Sequence, residues 1–176
     1  MFVVITGGSG SGKSAYAEKT VQSFGAYRRI YVATMDCHDQ ESVKRIKRHR
    51  EMRSGKGFET LECPRNLAEA SIPEESVVLL ECMSNLAANE MFAPEGAGER
   101  TVEAVMEGVT HLLAKAAHVV VVTNEIFSDG YVYDPDTTRY QEALGLINQQ
   151  MAKLADAVVE VVCGIPLCLK GKELPV

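Results

Sequence analysis

At 176 residues the chain is long enough for one domain with a sizeable core, and its 24% charged and 46% apolar residues are those of an ordinary globular protein. A net charge of −6 argues against a nucleic-acid surface, which needs a basic face, and no apolar stretch is long enough to span a bilayer. Cys37, Cys63, Cys82, Cys163 and Cys168 are odd in number and never spaced C-x-x-C, which predicts reduced, mostly buried thiols in a cytoplasmic protein rather than disulfides or a zinc site.

The chain opens with an apolar run, Phe2–Thr6, that reads as a buried strand. It passes straight into Gly7-Gly8-Ser9-Gly10-Ser11-Gly12-Lys13-Ser14, which is not how a secretory signal continues. Ala15–Val21 reads as a helix, and Arg29–Thr34, rich in β-branched and aromatic residues, as a second strand. Asp39–Arg53 places Val43 and Ile46 at helical spacing in a charged segment, which predicts a surface helix with one narrow buried edge. Phe58–Glu62 alternates as a short strand does. Ser76–Glu81 is an apolar run ending in an acid, the pattern of a strand covered on both faces. Cys82–Phe92 is a predicted helix, Ala93–Gly98 a mobile loop and candidate lid, and Thr101–Ala117 a further helix. His118–Glu125 reads as another doubly buried strand with a polar end. Ser128-Asp129-Gly130 and Asp134-Pro135-Asp136 mark a loop, Thr137–Ala155 a long helix, and Ala157–Val162 and Ile165–Leu169 two strands around Gly164.

Residues 1–176 therefore read as a single α/β domain, a mostly parallel central sheet flanked by helices. Ligands of such sheets sit at the carboxyl ends of the strands. Thr34, Glu81 and Thr123-Asn124-Glu125 fall there, beside the glycine-rich turn.

Gly7, Gly12, Lys13 and Ser14 fit G-x-x-x-x-G-K-[ST], a phosphate-binding loop with the required strand before it and helix after it. Glycines let the backbone curl so that N–H groups point at phosphate oxygens, and the helix N-terminus adds partial positive charge. Lys13 can reach the terminal phosphates of a nucleoside triphosphate, and the Ser14 hydroxyl can ligate Mg²⁺. An acid placed as Glu81 is usually holds that Mg²⁺, directly or through water; the competing reading is a surface carboxylate past the sheet. Glu125, after Thr-Asn, has a placement like that of Glu81, and the competing reading is an acid that simply caps a helix or lines the crevice. Ile46, His49, Arg50 and Arg53 share about one quarter to one third of a helix circumference. Two guanidiniums beside an imidazole suit phosphate binding, and a neutral ring can attack phosphorus to form a phosphoramidate. A solvated basic helix that happens to carry a histidine accounts for the same residues. His38, His111 and His118 read as structural.

The order of motifs resembles one family. The glycine loop is followed by Tyr31-Val32-Ala33-Thr34, Asp39-x-Glu41 and Arg45-Ile46-x-x-His49-Arg50-x-x-Arg53. Leu80-Glu81-Cys82, Val122-Thr123-Asn124-Glu125, Gly145-x-x-Asn148-Gln149, Ala155-Asp156 and Gly164-Ile165-Pro166 complete the match. Over essentially its whole length the chain is similar to the bifunctional adenosylcobinamide kinase/adenosylcobinamide-phosphate guanylyltransferases of cobalamin biosynthesis. The resemblance implies a RecA-like P-loop fold, ATP and GTP as substrates with Mg²⁺, and a homo-oligomer, a trimer. It implies phosphorylation of adenosylcobinamide, then GMP transfer from GTP through a guanylylated His49. Nucleotide contacts are implied at Gly7, Gly8, Ser9, Gly10, Ser11, Gly12, Lys13 and Ser14, at Ala33, Thr34 and Met35, at Arg50, Glu51, Met52 and Arg53, and at Glu62 and Glu81. Glu81 stands where the family often has Asp. Ile126–Asp134 differs from the Val-Gly-x-Gly-Ile-Val-Pro form of many members, which bears on corrinoid recognition rather than on nucleotide chemistry. The residues alone leave two rivals open: a P-loop kinase of another small alcohol, and a nucleotide-dependent binding or regulatory module.

Overall fold

The glycine-rich turn sets the course of the chain, because it ends β1 (Phe2–Thr6) and starts α1 (Lys13–Ser23). The computed structural model describes residues 1–36, 55–172 and 174. After α1 come β2 (Arg28–Ala33), β3 (Phe58–Glu62), β4 (Ser76–Glu81), α2 (Met83–Phe92) and α3 (Thr101–Lys115). β5 (His118–Val122), α4 (Pro135–Leu154), β6 (Ala157–Val162) and β7 (Ile165–Lys170) follow. The predicted helix Asp39–Arg53 lies outside the described residues.

The seven strands run in the order β3-β2-β4-β5-β1-β6-β7, parallel throughout except for the β6–β7 pair. Successive side chains of a strand point to opposite faces, so the apolar runs feed two cores. One face carries Val4, Ile30, Val78, Leu80 and Val121 under Leu86, Leu112, Leu144 and Ile147 of α2, α3 and α4. The other carries Val3, Ile5, Leu79, Val120 and Val159 under Ala17 and Val21 of α1. Each fully buried valine or leucine contributes roughly 1.5–3 kcal/mol.

The structure shifts several sequence boundaries. α4 starts at Pro135, within a stretch read as loop, because Asp134 accepts from the N–H groups of Asp136 and Thr137 and Pro135 takes the first helical position. β5 stops at Val122 because β1, its neighbour, ends at Thr6; Glu125 N–H then bonds Gly7 O at 3.1 Å. The predicted burial of the thiols is overturned: among the four described cysteines Cys63 is buried, Cys82 half-buried, and Cys163 and Cys168 exposed on the outer hairpin. Burial, with Glu90 nearby, pushes the Cys63 thiol up to about 11. Ala93–Gly98 is a pinned turn. The carboxylate of buried Glu90 accepts from Asn66 N–H at 2.7 Å and Ala97 N–H at 3.1 Å, and Gly96 N–H bonds Ala93 O at 2.9 Å. His111 donates to Ala70 O at 2.8 Å, and His118 stacks on Phe24.

Gly108 in α3 lies against Leu67 of a 3-10 turn, and an added Cβ would stand 2.6 Å from Leu67 Cβ. Leu67 is buried, so the contact has nowhere to relax. Gly108→Ala is expected to destabilise the fold by about 1–2 kcal/mol in urea unfolding, the overpacking outweighing a helix-propensity gain of about 1 kcal/mol.

Candidate functional site

Strand register gathers the site along one edge. Across the parallel ladder Glu62 faces Ala33, Ala33 faces Glu81, Glu81 faces Val122, and Val122 faces Ile5, at the carboxyl ends of β3, β2, β4, β5 and β1. Gly7 begins the turn two residues after Ile5.

That turn is shaped by close approach. A Cβ on Gly7 would meet Val161 O at 2.5 Å and Ser11 Oγ at 2.7 Å; Gly12 has φ +94° and its Cβ would lie 3.3 Å from Gly164 Cα. Gly164 N–H also bonds Ser11 O at 2.8 Å, so the β6–β7 turn braces the loop from behind. The first N–H groups of a helix have no intrahelical acceptor. No side chain caps α1 and no acid stands in its first turn, which leaves those donors and the positive end of the helix dipole for an anion. Ser11 Oγ is buried with no partner among the described residues. Lys13 is buried and its Nζ donates to Gly8 O at 3.0 Å.

Ser14 Oγ donates to Glu81 Oε1 at 2.5 Å, and Tyr31 OH donates to Glu81 Oε2 at 2.9 Å. One hydroxyl and one carboxylate, with phosphate oxygens and water completing the shell, is the sparse oxygen donor set that Mg²⁺ takes at triphosphates. The residues fit that ion. Among the described residues no cluster of three or more His, Cys, Asp or Glu offers an alternative metal site.

Thr34 is fully buried, and its hydroxyl is engaged by the next strand: Oγ1 donates to Cys82 O at 2.9 Å and accepts from Cys82 N–H at 2.8 Å. Asn89 Nδ2 holds Thr34 O at 2.8 Å. The Ala33–Met35 turn is thus locked to the start of α2, and Asp36 beyond it pairs with Arg65 at 2.6 Å. Glu62 is exposed at the far end of the row, four strand spacings or roughly 19 Å from β1. His49, Arg50, Glu51, Met52 and Arg53 lie outside the described residues. Sequence reasoning missed Tyr31, whose facing depends on register, and the brace at Gly164, whose contact with the loop is long-range. It also missed Tyr140, whose OH donates to Ser84 O at 3.0 Å, while Asn124, read at the crevice, donates from Nδ2 to Ser84 Oγ at 2.7 Å. Burial pushes the Tyr140 phenol up to about 12, so it stays a donor.

The sequence model of the cobinamide kinase / cobinamide phosphate guanyltransferase family matches residues 3–169. The bifunctional adenosylcobalamin biosynthesis protein CobU of Salmonella typhimurium is 32% identical, over 97% of this chain and 100% of that protein. CobP of Pseudomonas aeruginosa, of the same description, is 30% identical over 97% of this chain and 98% of its own. Among solved structures, an ATPase domain superposes with a TM-score of 0.55 at 12% identity, over 99% of this chain and 78% of that one. A KaiC-like protein from Pyrococcus horikoshii gives 0.52 at 12% identity, over 99% and 81%. At such identities the structural likeness speaks for the fold alone, a RecA-like phosphate-loop sheet.

Partners that orient a metal-binding group typically carry a 10–100-fold share of metal affinity. Tyr31→Phe is expected to weaken Mg²⁺-dependent binding of a fluorescent triphosphate analogue by about ten-fold and to leave binding in chelator unchanged. Equal affinities at every Mg²⁺ concentration would remove Tyr31 from the site.

Proposed function

This chain belongs to the cobinamide kinase / cobinamide phosphate guanyltransferase family, and from that premise we propose that it is a cytoplasmic, single-domain bifunctional enzyme of cobalamin biosynthesis. In the first reaction ATP or GTP phosphorylates the aminopropanol hydroxyl of adenosylcobinamide. In the second, GTP gives GMP to that phosphate, and pyrophosphate leaves with adenosylcobinamide-GDP as product. The observation that carries the reading is the braced phosphate loop with Ser14 and Glu81 at its mouth.

One cradle would serve both reactions. The amides of Gly8 to Ser14 and the Lys13 ammonium hold the β- and γ-phosphates and offset the charge that develops on them. Ser14 and Glu81 are the residues that would hold Mg²⁺, which when bound adds further positive charge at those oxygens. For GMP transfer a His49 ring nitrogen bonds to the α-phosphorus, the bridge to the β-phosphate breaks, and pyrophosphate departs with the electron pair. Arg50 and Arg53 stabilise the phosphate oxygens, while Glu51, Met52, the Ala33–Met35 turn and Glu62 contact the rest of the nucleotide. The phosphate of the phosphorylated corrinoid then attacks the guanylyl phosphorus and frees His49. The covalent stage means the corrinoid need not share the site with GTP.

The exposed edge strand supports a homo-oligomer, taken as a trimer from the family resemblance. Ile165, Leu167 and Leu169 alternate onto one exposed face of β7, an edge that soluble proteins generally cover.

With GTP labelled at the α-phosphate, the protein is expected to take up covalent label that is labile in acid and stable in alkali. His49→Ala should lose the label and GMP transfer yet keep phosphorylation within a few fold. A simple kinase would give no label while consuming triphosphate with its alcohol, and a binding module would give neither. Loss of both activities in equal measure at His49→Ala would sink the division of roles. Light scattering is expected to return a trimer mass, reduced by Leu167→Glu; a monomeric wild type would refute the assembly.

A further inference from the structure

Beside the phosphate loop lies a hollow of about 600 Å³ that the mechanism above leaves unused, lined by Glu125, Ile126, Ser128, Tyr133, Tyr140 and Gln141 among others. Its walls are tied to the site on two sides. Glu125 N–H bonds Gly7 O, the first residue of the loop, at 3.1 Å. Tyr140 OH bonds Ser84 O, three residues past Glu81, at 3.0 Å, and Gln141 Nε2 holds Ile126 O at 3.0 Å.

The chemistry of the lining is divided. At the inner end Glu125 Oε1 accepts from Phe127 N–H at 2.9 Å and Ser128 Oγ at 2.8 Å, which fixes the carboxylate in place. Among the described residues nothing donates to Oε2, and a carboxylate has room for several donors. Of the aromatic residues in the loop after β5, Tyr133 lines the hollow, and next to it in the chain stand Tyr131, 72% exposed, and Val132, 89% exposed. The loop is ordered by its own contacts. The Tyr131 and Tyr133 rings meet edge to face at 4.9 Å, and Tyr131 N–H and Tyr133 OH both bond the Asp129 carboxylate. Exposed tyrosine rings held in place by one another suit a large, flat, partly apolar ligand. The hollow is separate from the Ala33–Met35 turn and Glu62, which lie on the β2–β3 side of Glu81. A nucleotide extended toward those residues leaves it open.

We propose that this hollow is the acceptor subsite: its aromatic rim receives a bulky, partly apolar alcohol, and Glu125 binds the reacting hydroxyl. The assignment rests on the function proposed above, which makes that alcohol cobinamide. In the transfer the alcohol oxygen bonds to the terminal phosphorus. The bridge to the β-phosphate breaks, its electron pair leaves on the nucleoside diphosphate, and the hydroxyl proton passes to Glu125 Oε2.

Steady-state phosphorylation of cobinamide by wild type, Tyr131→Ala and Glu125→Gln, with equilibrium nucleotide binding measured on each, tests the assignment. Tyr131→Ala is expected to raise KM for cobinamide about ten-fold with nucleotide Kd unchanged, as loss of a stacking surface does. Glu125→Gln is expected to lower kcat for phosphorylation about 100-fold or more, the range for a group that takes the proton, while α-labelled GTP still labels the protein. Wild-type kinetics in both variants would overturn the subsite and leave the function standing. A wild-type protein that does not phosphorylate cobinamide overturns the function and the subsite with it.

Discussion

The hydrogen bond from Ser14 to Glu81 joins two parts of the chain that have no local reason to meet. It can form only if β5 alone separates β1 from β4 and if the turn after β1 is tight enough to start α1 at Lys13. Both conditions trace to packing. Uniformly apolar β4 and β5 need cover on both faces, which places them at the sheet centre. Gly7 and Gly12 let the turn press against Val161 and Gly164: a side chain at Gly7 would collide with Val161 O, and one at Gly12 would crowd Gly164. The outer hairpin therefore works as a backstop for the phosphate loop as well as an edge of the sheet.

Much of this is legible in the residues. The strands that read as doubly buried are buried, and the acid at the end of β4 stands beside the loop serine as its position implies. Errors arise where one residue type carries two meanings. Pro135 reads as loop punctuation, yet behind an Asp that caps the helix it is a first-turn residue. Cys163 and Cys168 read as interior on the average behaviour of free thiols, but they sit on an exposed hairpin at the sheet edge. Tyr31 gives no warning: as one residue of an apolar strand it has equal claim to either face, and only the pairing of Tyr31 with Leu79 aims its hydroxyl at Glu81.

A second layer of polar contacts holds the edge together without being part of the chemistry. Thr34 ties β2 to the residue after Glu81 with two hydrogen bonds, and Asn89 ties the same turn to α2. Glu90, buried beside Asn89, holds the backbone of Asn66 and Ala97. A buried carboxylate without donors would be costly, so these bonds are needed as much for Glu90 as for the loops it gathers. The turn at Ala93–Gly98, punctuated like a lid, is instead one of the anchors.

The arrangement also bears on how one phosphate site can run two transfers. In phosphorylation the attacked atom is the terminal phosphorus and the nucleoside diphosphate leaves; in GMP transfer it is the α-phosphorus and pyrophosphate leaves. A cradle that grips the β- and γ-phosphates stabilises the leaving group in the second case and the transferred group in the first, so the loop need not move between them. What changes between the two proposed transfers is the attacking atom. The described edge places the Glu125 carboxylate and an open hollow after β5, two strands from the Ala33–Met35 turn after β2. That separation follows from strand order, because β4 with Glu81 lies between β2 and β5.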